Sequence, residues 1–300
     1  MRIGIFGGDA ANGPIERLLD DARNAADAGF ATYWLPQIFG VDALTALAVI
    51  GREVPRVELG TAVVPTYPRH PVMLAQQALT TQAISGGRLA LGIGLSHQIV
   101  IEGIYGHSFH KPVRHMREYL AILVPLVQTG AVSFSGETLT GHAGVDIKGA
   151  SPFPVLLAAL GSKMLELAGK VADGTITWMT GPATLESHVI PTMNTAAAAA
   201  GRPTPRTCVG LPVCVTDDTD AARERAAKTF EIYGTLPSYR AMRDREGAEG
   251  PADVAVVGDE AVVRGAFDEL AAIGATDLVA SIFGSSEERT RTRELLRSLL

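Results

Sequence analysis

The chain alternates short, unbroken apolar runs with longer segments in which apolar residues recur every three or four positions. The short runs cover residues 2–7 (RIGIFG), 31–36 (ATYWLP), 57–64 (VELGTAVV), 88–95 (RLALGIGL), 154–160 (PVLLAAL), 174–180 (GTITWMT), 207–216 (TCVGLPVCVT) and 276–283 (TDLVASIF). Their length predicts strands, and their lack of apolar–polar alternation predicts burial on both faces, as in a parallel sheet. Between them, Leu18, Leu19, Ala22, Ala25 and Ala26 share one face of a helix that follows Pro14 and stops at Gly29. Asp42 is placed to cap a helix running to Glu53, and Pro71 sits in the first turn of another over 70–85. Further helices are expected over 112–130, 162–172, 217–233 and 259–275, with a last one in SEERTRTRELLRSLL.

Eight strands, each followed by helix, predict an α/β fold of the TIM (β/α)8 barrel type, one domain spanning residues 1–300. Three segments fall outside the repeat and read as insertions: about 97–111, 131–150 (a small β excursion) and 234–258. Barrel enzymes keep their sites at the C-terminal ends of the strands. That places Ser96, His97 and Gln98, which end the fourth apolar run abruptly, at a ligand mouth.

Composition narrows the class. Hydrophobic residues make up 47% and charged residues 19%, which is globular and not disordered. A net charge of −6 argues against a nucleic-acid partner. There is no run of about 18 apolar residues, so no membrane span is expected, and MRIGIFGGDA does not read as a secretory leader. Cys208 and Cys214, in CVGLPVC, lack metal or redox spacing and read as buried thiols of a cytoplasmic protein. Scarce lysine and abundant alanine fit a high-GC bacterial genome.

Candidate chemistry clusters at the strand ends. His97 titrates near neutral pH and is the best candidate for proton transfer, the alternative being a structural loop hydrogen bond. His107, His110 and His115 lack the spacing of a metal site. The glycines of Gly92-Ile93-Gly94 do not complete a dinucleotide fingerprint; small residues in a barrel strand instead let a flat ring approach the backbone. In ALGSKM, Gly161 permits a turn, and Ser162 opens a helix whose free N–H groups suit a phosphate, or simply caps it. Trp34 and Trp178 read either as core or as ring-stacking residues.

Several motifs together resemble the luciferase-like monooxygenase superfamily, in its deazaflavin (coenzyme F420)-dependent oxidoreductase branch. They are GFATYWLPQ, ELGTAVVPTYPRHPVMLAQQALT, GRLALGIGLSHQ, HMREYLAIL with FSGE beyond it, and LLAALGSKMLELAGKVADGTITWMTG. The resemblance implies a bacterial luciferase-like barrel with a tricyclic ring at its mouth. Thr61, Ala62, Val63 and Val64 would back the ring, with a non-proline cis bond expected at Thr61–Ala62. Ser96 and His97 would border the reactive edge, and Leu160, Gly161 and Ser162 would hold the phosphate. Thr180 and Gly181 would face the tail or the substrate. Where many relatives carry an Asp-His pair, this chain has Gln37, counted with the cofactor-binding residues, and Ile38, which transfers no proton. His97 stands where sugar-phosphate dehydrogenases of the branch carry a glutamate, so sugar-phosphate oxidation is not expected. The implied activity is hydride transfer between F420 and an electron-poor, bulky and apolar organic substrate, with His97 as the catalytic acid. The alternatives are an FMN-dependent monooxygenase and a non-catalytic flavin or deazaflavin carrier. The family also implies a homodimer.

Overall fold

Alternate residues of each barrel strand face opposite ways, and both directions are apolar. The computed structural model describes residues 1–300. Its strands are β1 (Arg2–Phe6), β2 (Thr32–Leu35), β3 (Glu58–Thr61), β4 (Leu89–Gly94), β5 (Val155–Leu157), β6 (Gly174–Trp178), β7 (Arg206–Val215) and β8 (Asp277–Ile282). Each pairs in parallel with the next, and β8 pairs with β1 to close the barrel. Ile5, Tyr33, Leu59, Ile93, Val209 and Leu278 point outward into the main core under the helices. Trp34, Ala90, Leu156, Ile176, Cys208 and Val279 fill the interior, which is why these runs read as continuous apolar sequence.

The helices are α1 (Ile15–Asp27), α2 (Ala43–Glu53), α3 (Pro71–Ile84), α4 (Pro112–Thr129), α5 (Ser162–Val171), α6 (Ile190–Ala199), α7 (Thr219–Thr229), α8 (Pro237–Glu246), α9 (Glu260–Ala272) and α10 (Ser286–Ser298). Asp42 caps α2 by accepting from the Thr45 N–H at 2.9 Å, and Pro71 opens α3. The expected 217–233 helix is divided: α7 ends at Thr229, and a separate turn covers Glu231–Thr235. No helix is long and apolar enough to cross a membrane.

Outside the repeat, Ala131–Ser135 and Thr140–Gly144 form an antiparallel hairpin, Gln98–Gly103 is a short helix, and Val256–Gly258 adds to the edge of β7 in parallel. The hairpin turn is tied to α4 by one side chain. Glu118 is buried and its carboxylate accepts from the N–H groups of Glu137 (3.0 Å), Thr138 (2.8 Å) and Leu139 (2.9 Å) and from the Thr138 hydroxyl (2.6 Å). That explains why HMREYL and FSGE occur together: the pair is an anchor, not catalytic machinery.

The N-terminal end of the barrel is plugged. Arg206 forks onto Asp277 with two bonds of 2.8 Å, reaches Glu58 at 2.6 Å and lies over the Trp34 ring, 5.4 Å from its centroid. Trp34 is fully buried, so of the two readings the core one holds, and its indole N–H donates to the Thr32 hydroxyl at 2.7 Å. The ring fits only because position 60 is glycine: a Cβ there would fall within the Trp34 ring. Burial alone would raise the Asp277 carboxyl, but the Arg206 bonds, Thr276 and Arg2 bring it below the usual carboxylate range.

Two outcomes test this packing. Gly60→Ala is expected to lower the unfolding free energy by about 1–3 kcal/mol through overpacking. Gly265→Ala, in α9 with open space around the new methyl group, is expected to raise it by about 0.5–1 kcal/mol, both read by denaturant unfolding. Because the folded-state carboxyl of Asp277 is lowered, its contribution is present above the unfolded value of about 4 and is lost as pH falls through the folded value. Asp277→Asn is therefore expected to be less stable at neutral pH and to show a shallower loss of Tm on acidification below pH about 4.

Candidate active site

With the floor sealed, the open end is the one formed by the strand C-termini. Thr61 ends β3 fully buried, its hydroxyl donating to the Gly92 carbonyl (2.7 Å) and accepting from the Gly92 N–H (2.9 Å). The chain then passes through Ala62 and Val63, both part-exposed, and rejoins β4 at Val64, which is buried and registered with Ile93. The cis peptide bond lies between Ala62 and Val63, one bond beyond the expected Thr61–Ala62. Of the four residues expected to back a ring, Ala62 and Val63 face the mouth, while Thr61 and Val64 hold the backbone in place.

Glycines make this approach possible. A Cβ at Gly92 would strike the Thr61 carbonyl, and one at Gly94 would lie 2.8 Å from Val63 Cγ2 and 3.1 Å from the Ala158 methyl. The result is a shallow floor of small groups, Ala62, Val63 and Ala158, on one side of the mouth. Ser96 leaves β4 with φ of 60°, a conformation that costs a non-glycine residue about 1 kcal/mol, and so turns the chain toward His97. His97 is half-buried and its ring makes no capping bond to the short helix that follows. Desolvation by burial lowers its pKa below the ordinary histidine value.

Leu160, Gly161 and Ser162 lie at the start of α5. Gly161, not Ser162, is the N-cap residue, and no side chain caps the helix. The Met164 and Leu165 N–H groups bond back to the Gly161 carbonyl, while those of Ser162 and Lys163 have no partner in the chain. Gly161, Ser162 and Lys163 are exposed, a Cβ at Gly161 would meet nothing within 4 Å, and His188 steadies the Leu160 carbonyl at 2.8 Å. An open N-terminus with free N–H groups attracts an anion.

Two expected residues sit elsewhere. Thr180 is fully buried, its hydroxyl on the Trp178 carbonyl at 3.3 Å, and Gly181 lies beneath the Glu246 carboxylate. Glu246 accepts from the Ala183 (3.1 Å) and Thr184 (2.8 Å) N–H groups, so this helix start already holds an internal anion. That removes Thr180 and Gly181 from the exposed lining. Gln37 accepts from the Ala43 N–H at 2.7 Å and fixes the start of α2; Ile38 beside it is 57% exposed.

The other side of the mouth is aromatic, and sequence reading identified only part of it. Phe6 stacks on Trp178 with centroids 5.3 Å apart, and Phe230 and Tyr233 meet Trp178 edge-on. Tyr67 is stacked 3.9 Å from His115 in a packed cluster; burial pushes His115 down to about 4 despite the Glu118 charge. No group of His, Cys, Asp or Glu is arranged to hold a metal ion. Two clefts lie away from the mouth, one of about 650 Å³ beside α2 and α3 and one of about 210 Å³ between the extra strand and α9.

A floor of small groups next to an unpartnered helix N-terminus fits a flat ring with an anionic tail. Comparison with known proteins agrees with the architecture. A Mycobacterium tuberculosis protein provisionally named a coenzyme F420-dependent oxidoreductase is 35% identical over 189 residues, 58% of this chain and 54% of that protein's length. The 5,10-methylenetetrahydromethanopterin reductase of Methanolobus tindarius is 29% identical over 290 residues, 94% of this chain and 87% of that one. The structure of the coenzyme F420-dependent tetrahydromethanopterin reductase from Methanopyrus kandleri superposes with a TM-score of 0.81 at 20% identity, covering 99% of this chain and 97% of that one. The family description luciferase-like monooxygenase matches residues 1–291, and the chain belongs to that family.

Proposed function

We propose that the protein is an F420-dependent oxidoreductase that moves a hydride between the deazaflavin and an electron-poor organic substrate. The observation that carries this reading is the pairing of the Ala62–Val63 floor, pressed against Gly92 and Gly94, with the open N-terminus of α5. The names of the relatives support F420 as the ligand of such a site. When bound, the deazaflavin supplies or takes up the hydride.

The chain's own residues supply orientation and a proton. Ala62, Val63 and Ala158 leave a flat face free of protruding side chains, and the Ser162 and Lys163 N–H groups bind the phosphate, aided by the positive end of the α5 dipole. His97, which has no capping bond to spend, holds or passes the proton at the substrate atom that changes charge. Ile38 and Gln37 contribute no proton. A homodimer would use the outer faces of α2 and α3, a reading supported by the exposed Val49 and Met73.

Titration of the purified protein with F420, and separately with FMN, followed by cofactor fluorescence, tests the reading. Saturable F420 binding that FMN does not displace is expected; FMN binding in its place, or binding of neither, overturns it. His97→Ala is expected to lower turnover about 100-fold or more while F420 affinity stays within about threefold. With His97 as the acid, kcat/KM for reduction falls as pH rises through the free-enzyme pKa of His97, which lies below the ordinary value of about 6.5. His97→Gln should abolish that limb of the profile.

A further inference from the structure

The loop beyond β7 reaches back over the mouth and places two tyrosines where the strands alone would leave it open. Beginning at Phe6 on β1, a continuous series of ring contacts crosses the end of the barrel. Phe6 stacks on Trp178 at 5.3 Å, Trp178 meets the edge of Tyr233 at 5.9 Å, Tyr233 meets Tyr239 at 5.1 Å, and Tyr239 lies 6.0 Å from the His97 ring. Tyr233 comes from the turn Glu231–Thr235 and Tyr239 from α8, so the arc joins β1, β6, the insertion and the residue after β4. Its first ring, Phe6, packs on the same interior cluster as Ala62 and Val63, so arc and floor share this end of the barrel.

The insertion is held in this position by polar bonds at its far end. Glu246 sits on the Ala183 and Thr184 N–H groups, the Thr184 hydroxyl donates to the Met242 carbonyl at 3.1 Å, and Arg243 donates to the Gly234 carbonyl at 2.7 Å. At the tyrosine end, Tyr233 and Tyr239 are part-exposed and pack, with Trp178, against a small buried cluster that includes Met179, Phe230, Val254 and Phe283. The rings are thus held between this brace and the buried cluster, each with part of its surface left exposed.

The acidic groups around this end of the barrel are already bonded internally. Asp9 is paired with Arg17 (2.9 Å) and Arg289 (3.0 Å), and Asp42 is paired with Arg69. Glu102 accepts from Gln98 (2.9 Å) and the Phe109 N–H (3.1 Å). Arg240, next to Tyr239, is solvent-exposed on α8. Burial raises the pKa of both Tyr233 and Tyr239, so their hydroxyls stay neutral.

We infer that Tyr233 and Tyr239 are specificity-determining residues: together with Trp178 they form an aromatic wall facing His97 that admits a planar, uncharged, ring-sized substrate and rejects an anionic one. This rests on the reading of the mouth as a deazaflavin site, which it deepens by naming the substrate class. Flat neutral rings are favoured because offset stacking and edge contacts with such a wall are gained without desolvating a charge. A charged group brought to the same place meets only rings in the arc, the nearest unpaired charge being Arg240, which is exposed to solvent on α8.

The test uses the full-length protein, with and without F420, and two flat probes of one ring system, 1,4-naphthoquinone and its anionic 2-sulfonate. Binding is read by quenching of tryptophan fluorescence; Trp34, sealed in the barrel interior, gives a constant background to the Trp178 signal. The neutral quinone is expected to bind at least tenfold tighter than the sulfonate. Tyr239→Ala and Tyr233→Ala should each weaken it at least fivefold, Tyr239→Phe should retain it, and F420 affinity should stay within twofold in all three. Equal affinity for the two probes, or indifference to Tyr239→Ala in a variant whose melting curve matches the parent, overturns the inference. If the quinone binds as predicted but F420 does not bind at all, the wall stands and the cofactor reading fails, so the two are separable.

Discussion

The Thr61 hydroxyl, bonded to both the N–H and the carbonyl of Gly92, replaces the backbone ladder at the point where β3 stops pairing with β4. Neither bond is exposed, and a buried backbone group left without a partner costs about 1–3 kcal/mol, so one side chain makes the break tolerable. The freed residues, Ala62 and Val63, press toward the barrel axis because Gly92 and Gly94 leave room for them. The floor of the mouth, its flatness and its position relative to β4 and His97 follow from this local exchange of a ladder for a hydroxyl.

A second constraint closes one end of the barrel. Trp34 and the Arg206–Asp277 fork fill the N-terminal half, and the arrangement is tight enough that position 60 tolerates no side chain. Two helix starts near the other end then meet opposite fates. The one at Pro182 carries Glu246 as a permanent internal anion, while the one at Ser162 keeps its N–H groups free. Of these two helix starts only the one at Ser162 keeps unpartnered N–H groups, and the Glu246 contacts at the other brace the insertion that carries the aromatic arc.

Much of this was legible in the sequence because its cause is local. Eight unbroken apolar runs report strands buried on both faces, and the glycines of LALGIGL report a close backbone approach. Asp42 and Pro71 report helix starts through capping chemistry that acts within three residues. What sequence reading missed depends on contacts between distant segments. Thr180 looks like a mouth residue until Glu246, 66 positions on, is folded over its neighbour Gly181. Tyr233 ends the expected 217–233 helix, which breaks at Thr229, and Tyr239 lies in the insertion beyond it; only the packing of FEIYGTLPSY against Trp178 shows where the rings go. Glu118 shows the same dependence: why HMREYL and FSGE accompany one another becomes clear once the hairpin turn is seen bonded to the Glu118 carboxylate on α4.

The account centres on a tricyclic ring lying against Ala62 and Val63 with its phosphate at the start of α5. Diffraction from crystals of the protein grown with F420 measures that placement directly. The account predicts ring density against the Ala62–Val63 segment, between it and the Trp178–Tyr239 arc, and a phosphate within about 3 Å of the Ser162 and Lys163 nitrogens. Ring density anywhere else, or an α5 N-terminus contacted only by solvent while F420 is bound, would contradict it.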